Sequence, residues 1–480
     1  MLKRRLPAAF KCLLLAGLLA LTTGCNVKVT LFPTAAPAPA ETPSVRSGPQ
    51  ATASPAKPTA GASATPISNL MATAQAIMTV VAAAPSRAAA AAPTPTLTPP
   101  PAPSAQSAAA SPTVEATLPP TAAPAPTAVP TATGNDAGKG TITVQDLSIP
   151  TYPFDRFLQD AMDAPSGIPY KRLNWDAYLA SSPRPAPRNY RAVVLENSTL
   201  QLTFLPELGG RLYRAIYKPS GRDLFYRNPV IKPTRWGPAQ QGWWLGAGGM
   251  EWALPVDEHG LEWGVPWDFS TARTDSASRI NLWDSQAGDR LRARITVTLP
   301  DSGAGFDLTM RLENPTAADK RYQFWLNAMI GGPGGRVAPD TVFLFPTDKA
   351  IVHSTDDTTL PPPRGTFYWP LVGQRDLSRY AEWRGYLGIF AATPGGRQGA
   401  YDPTGRLGLI RTYPADVARG AKLFVGKGLD PSLWTDDGST YFEMWGGANR
   451  TFFSEDDRTL APGAAVEWRE TWSVTTTGLQ

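Results

Sequence analysis

The chain has 480 residues, with 45 Lys and Arg against 40 Asp and Glu, 15 Trp, 50 Pro, two His and two Cys. The charge is uneven: residues 1–140 carry nine basic and three acidic side chains, which leaves 36 basic and 37 acidic in residues 141–480. A later part so close to neutrality, without a basic run, argues against nucleic acid and polyanions as partners.

The chain starts Met1-Leu-Lys-Arg-Arg and continues into an apolar run from Leu13 to Leu21 that ends in Thr-Thr-Gly24-Cys25. A positive start, a short apolar core and a small-residue exit predict a secretory signal over residues 1–24, too short for a membrane span. The cysteine after that exit resembles the lipobox of bacterial lipoproteins, which implies a lipidated Cys25 and an extracytoplasmic, membrane-anchored protein. Leu21 lies four residues before Cys25, where the lipobox pattern prefers three. Cys12 falls inside the signal, so Cys25 is the one remaining thiol and no intramolecular disulfide is expected. Residues 25–140 read as a tether. From Leu31 to Gly140 the composition is dominated by Pro, Ala, Thr and Ser, with 21 of the prolines and Phe32 as the single aromatic. Such a segment cannot bury a core and favours extended conformers. The proline-free run Ile67 to Ala84 predicts a fluctuating helix.

Residues 141–186 read as an extension packed on the main domain, with helical spacing in Phe154 to Met162 and Trp175 to Ala180. Beyond them the signals are those of strands. Tyr213 to Tyr217, the turn Lys218-Pro-Ser-Gly-Arg222 and Leu224 to Tyr226 predict a hairpin. Arg290 to Leu299 alternates apolar and polar residues, and after Pro300-Asp-Ser-Gly303 the alternation resumes through Phe306 and Leu312, a hairpin with one buried face. Leu407 to Tyr413, Ala421 to Val425, Tyr441 to Trp445 and Ala465 to Val474 read as further strands. An all-β, antiparallel sandwich is the economical architecture.

Six tryptophans fall within 32 residues: Trp236, Trp243, Trp244, Trp252, Trp263 and Trp267. The same stretch holds Glu251, Asp257, Glu258, His259, Glu262 and Asp268 beside Gly246, Gly248 and Gly249. Indoles suit the apolar face of a pyranose and carboxylates suit its hydroxyls, so the mixture points to carbohydrate, although any single Trp is also a core residue by habit.

Pro206-Glu-Leu-Gly-Gly210-Arg211-Leu-Tyr, Phe225-Tyr-Arg-Asn228, Gly248-Gly-Met-Glu251-Trp252, Phe324-Trp-Leu-Asn327, Tyr441-Phe-Glu443-Met-Trp445-Gly-Gly447 and Leu460-Ala-Pro-Gly463 leading to Glu467, Trp468 and Trp472 occur in this order. Together they resemble a galactose-mutarotase-like domain of unknown function that is often joined to tetratricopeptide repeats. The resemblance covers about residues 187–476, within a main domain of 187–480. It implies a two-sheet β-supersandwich with a carbohydrate-facing concave surface. Aldose mutarotases use a glutamate base and a histidine acid. Glu443 matches the expected base, but the strand Tyr322 to Ala328 has Asn327 where the histidine is expected.

The chain's two histidines are therefore informative. His259 supplies an acid from another direction or is an exposed loop residue; His353, in a Thr/Ser/Asp-rich segment, reads as a surface residue. The missing acid favours a carbohydrate-binding protein over an aldose epimerase or another carbohydrate-active enzyme, with a structural surface protein using protein partners as a third reading. The candidate residues are Glu443 and His259 for catalysis, and Arg211, Trp243, Trp244, Glu251, Trp252, Glu262, Asn327 and Trp445 for substrate. No nucleotide, phosphate-loop or serine-hydrolase motif occurs, no cofactor is expected, and two distant histidines make no transition-metal set.

Overall fold

The computed structural model describes residues 139–285 and 288–480. The signal, nearly all of the tether and Cys25 lie outside the described residues. Two large, mainly antiparallel sheets form the body, one of 14 strands and one of eight. This is the antiparallel β-supersandwich expected from the sequence.

The smaller sheet shows how alternation makes a core. Along Arg292–Pro300 and Gly305–Glu313 every second side chain is buried, with Ala293, Ile295, Val297 and Leu299 on one strand and Phe306, Leu308, Met310 and Leu312 on the next. These meet Leu202, Phe204, Leu212, Met250, Trp252, Leu326 and Met444 of the larger sheet. Each such side chain contributes about 1.5–3 kcal/mol by leaving water. The larger sheet behaves differently. Its strands Met250–Ala253, Trp325–Ile330 and Phe442–Gly447 are buried at every position. Both of its faces are therefore covered, one by the smaller sheet and the other by loops and by the N-terminal extension.

That extension begins with Thr141–Thr151, which pairs along its whole length with Ala186–Glu196 and at Thr151 runs parallel to Arg227–Thr234. The helix Trp175–Ala180 forms as expected, with the Asn174 side chain accepting from the Ala177 amide. The helix expected from Phe154 to Met162 is corrected. One 3₁₀ turn, Asp155–Phe157, leads into a hairpin of Leu158–Asp163 with Ile168–Leu173. The turn decides it: the Asp163 carboxylate accepts from the Ser166 amide and Gly167 has φ +75°, so the chain reverses where a helix would continue. The second arm of the Tyr213 hairpin is Arg222–Asp223, in place of the expected Leu224 to Tyr226, which lies outside any strand.

Candidate functional site

The register of the larger sheet places one row of side chains across the face turned away from the smaller sheet. Glu251 lies opposite Asn327, Asn327 opposite Trp445, Trp445 opposite Lys422, Lys422 opposite Phe390 and Phe390 opposite Ile351. Cross-strand partners share a face, so five strand pairings bring residues from 251 to 445 into one line. Two residues from Trp445 on the same strand, and hence on the same face, is Glu443. Trp325, two residues from Asn327, lies against Gly420 and Gly447: a Cβ on either would fall 2.3 or 2.5 Å from its ring, so only glycine leaves room for the indole.

Glu251 is the hub. Its carboxylate accepts from Arg211 Nη2 at 2.6 Å and Trp244 Nε1 at 3.0 Å on one oxygen, and from Asn327 Nδ2 at 3.3 Å on the other, which also pairs with His259 Nδ1 at 2.5 Å. Burial pushes the Glu251 carboxyl up, but the neighbouring Arg211 and His259 charges and the donated hydrogen bonds outweigh it and hold it at about 2. Arg211 is fixed from its other side by the Gly248 carbonyl, at 2.7 Å.

His259 reaches Glu251 from the loop after Ala253. The Gly260 amide bonds the Asp257 carbonyl and the Leu261 amide bonds the Leu254 carbonyl, which closes the loop on itself. Gly260, at φ +65°, has no room for a Cβ, which would meet the Leu254 amide nitrogen at 2.2 Å. The His259 ring stacks on Trp244 at 4.2 Å and leans on Trp445 at 5.3 Å. Because Nδ1 faces Glu251, Nε2 is the edge left to act on a ligand.

Glu443 accepts from the Trp445 indole at 2.8 Å. Its carboxyl is raised by burial against the opposing charges of His259 and Lys422. Asp257 is raised to about 7 by burial and by the charge of Glu258. His353 Nε2 lies 3.8 Å from Glu258, its ring packs on Phe390 and Phe452, and burial and the Lys422 charge lower it.

Seven of the expected site residues thus converge: Glu443, His259, Arg211, Trp244, Glu251, Asn327 and Trp445. Three do not. Trp252 is Glu251's neighbour in a strand, so it points to the opposite face and into the intersheet core, with its indole on the Gly210 carbonyl. Trp243 packs with Phe154 and Trp263, in the apolar cluster that also holds Trp244, and turns its indole N–H to the Lys171 carbonyl and not to Glu251. Glu262 is wholly buried in an ion pair with Arg290, with Asp284 also beside that guanidinium. Of the two readings of His259, the exposed loop residue is excluded at 7% exposure, and His353, at 8%, is not the surface residue expected. Free stacking faces are also absent at Trp244 and Trp445, both 0% exposed, because His259 and Lys422 already lie on those rings. Lys422 was the residue that sequence reasoning missed. Its signal was a charge inside the otherwise apolar strand Ala421 to Val425.

A family described as a domain of unknown function (DUF5107) matches residues 167–474. The chain belongs to that family. The DUF5107 match begins in the turn of the N-terminal hairpin, so the strand Thr141–Thr151 lies outside it. A solved TPR-domain containing protein from Parabacteroides distasonis ATCC 8503 shares the fold, with 23% identity and a TM-score of 0.59 over 71% of this chain. This chain covers 56% of that protein's length. More distant likenesses are a putative aldose 1-epimerase from Klebsiella pneumoniae, at 14% identity, TM-score 0.45, and 69% and 92% of the two chains. Another from Escherichia coli K12 has 14% identity, TM-score 0.42, and 59% and 98% coverage.

Proposed function

We propose that the Glu251 cluster of this DUF5107 chain is a carbohydrate site. The observation that carries this reading is the convergence of Glu443, His259 and Lys422 on the outer face of the larger sheet. Each keeps a small exposed fraction while the indoles beneath are sealed. A carboxylate, an imidazole and an ammonium offer both acceptors and donors to a rim of sugar hydroxyls, and the Trp244 and Trp445 rings serve as walls that fix them in place.

The test is binding of a panel of mono- and oligosaccharides to the full chain and to its Glu443→Gln variant. The amide keeps the shape and removes the charge. Glu443→Gln should bind more weakly than wild type by about 1–3 kcal/mol, the range for a lost charge-assisted hydrogen bond. A folded wild type that binds no sugar in the panel would sink the reading and favour a structural role with protein partners.

A second reading, aldose epimerisation, is favoured by the His259–Glu251 contact. It orients the imidazole so that Nε2 can serve as the acid that Asn327 cannot supply, with Glu443 as base. Polarimetry separates the two readings: an epimerase accelerates anomer interconversion and loses that rate in both Glu443→Gln and His259→Ala, whereas a binding protein leaves the spontaneous rate unchanged.

The same proposal includes an extracytoplasmic location with lipid attachment at Cys25. Its support is the signal-like start and the lipobox-like Thr-Thr-Gly24-Cys25. Cys25→Ser should move the protein out of the membrane fraction and abolish incorporation of labelled fatty acid. Retention in the membrane with no label lost would contradict it.

A further inference from the structure

Lys422 is 4% exposed and sits between Trp445 and Phe390 in the cross-strand row. Its ammonium lies 4.4 Å from the centre of the Phe452 ring, 4.6 Å from that of Trp445, 5.6 Å from Phe424 and 6.0 Å from Phe390. Such faces stabilise a cation without accepting its hydrogen bonds in the ordinary geometry. Among the described residues Nζ makes no ion pair and no hydrogen bond, although Glu443, Glu258 and Asp257 all act on its charge. A nearly buried ammonium with no acceptor from the chain takes its hydrogen bonds from solvent or from a ligand.

We infer that Lys422 is a ligand-binding residue of the site around Glu251 and Glu443, donating from Nζ to hydroxyl oxygens of a pyranose that also contacts Glu443. The inference rests on the carbohydrate reading and adds to it a residue that carries part of the affinity. Three things make Lys422 suitable for this. The rings fix the direction of its stem, so little rotamer freedom is lost on binding. Its charge is opposite to that of Glu443, so the two can hold donor and acceptor sides of neighbouring hydroxyls. Its place beside Trp445 puts it next to the indole that orients Glu443.

The experiment uses the full chain with two variants and one labelling measurement. Lys422→Met keeps the stem and its packing and removes the ammonium; Lys422→Arg keeps a charge and donors. With an aldohexose panel as probe, Lys422→Met should bind on the order of tenfold more weakly than wild type, and Lys422→Arg should recover part of the loss. In the wild type, saturating sugar should protect Lys422 from amine acylation, read by peptide mass spectrometry, while the exposed Lys349 labels at an unchanged rate. Binding by Lys422→Met within twofold of wild type, with no protection of Lys422, overturns the assignment and leaves the carbohydrate site standing. If Lys422→Met does not fold, protection in the wild type decides alone. Absence of any sugar binding by wild type overturns both the site and this residue's role in it.

Discussion

Replacing Glu470 by Leu should destabilise the protein by roughly 3–5 kcal/mol, the cost of stranding a buried opposite charge. Glu470 lies in the strand Ala465–Thr475 and points between the sheets with Val466, Trp468 and Trp472. Arg411 meets it with Nε on one oxygen at 3.0 Å and Nη2 on the other at 2.8 Å. The indoles of Trp468 and Trp472 each donate to it, at 3.0 and 2.8 Å. All four donors lose their acceptor at once in Glu470→Leu, and none can reach water. Arg411 also fills the space behind Gly446, where a Cβ would come within 2.1 Å of the guanidinium carbon, so the pair supports the strand that carries Glu443 and Trp445. The double variant Arg411→Met, Glu470→Leu should recover part of the loss. The charge is no longer stranded, but two indole N–H groups still lack acceptors, at about 1–3 kcal/mol each. Urea unfolding followed by tryptophan fluorescence measures both. A single-variant loss below about 1 kcal/mol, within the range of exposed pairs, would show that the pair is not sealed as described.

Glu470 also marks where sequence reading stops. Period-2 alternation located Ala465 to Val474, Arg290 to Leu299 and the strands around Glu443, because a half-buried strand writes its two faces into alternate positions. It could not say that one inward position would hold a charge, because the partner, Arg411, is 59 residues away and joins only through strand pairing. The same limit explains the site. Glu251, Asn327 and Trp445 were identifiable from the resemblance, and strand pairing then aligned them. Trp252 looked equally suited to a sugar, but adjacent strand residues face opposite ways, so the side of the sheet on which Glu251 falls excludes it. His353 and Lys422 gave only faint local signals. A histidine among Thr, Ser and Asp looks like a loop, and a single lysine in an apolar strand looks like an edge; both become site residues only when Phe390 and Phe452 cover them. The Phe154 to Met162 stretch failed for a local reason, since its helical spacing was real but the Asp163 turn overrode it.

Glu251→Gln should have the second large effect, and it divides into two parts that can be measured separately. The first is stability. The amide cannot neutralise Arg211, which is 1% exposed and holds no other carboxylate within ion-pair distance among the described residues. A loss of about 3–5 kcal/mol is expected. The pH dependence has a definite sign. The folded Glu251 carboxyl sits at about 2 against its ordinary value of 4.5, so its contribution is complete above the unfolded value and disappears as the pH falls from about 4 to about 2. The variant should therefore lose most of its extra instability relative to wild type below pH 2. The second part is position. Without the carboxylate, Asn327 Nδ2 and Trp244 Nε1 keep only an amide oxygen to share, and His259 Nδ1 loses its charged partner. The imidazole then has no fixed direction for Nε2. Pairing the change with Arg211→Met removes the stranded charge and should restore much of the stability, while leaving His259 unanchored. The double variant should therefore fold near the wild-type unfolding midpoint yet bind sugar at least about tenfold more weakly, since a group displaced from its ligand forfeits a charge-assisted bond. Wild-type affinity in a stable double variant would show that Glu251 only neutralises Arg211 and that His259 finds its direction from Trp244 and Trp445 alone.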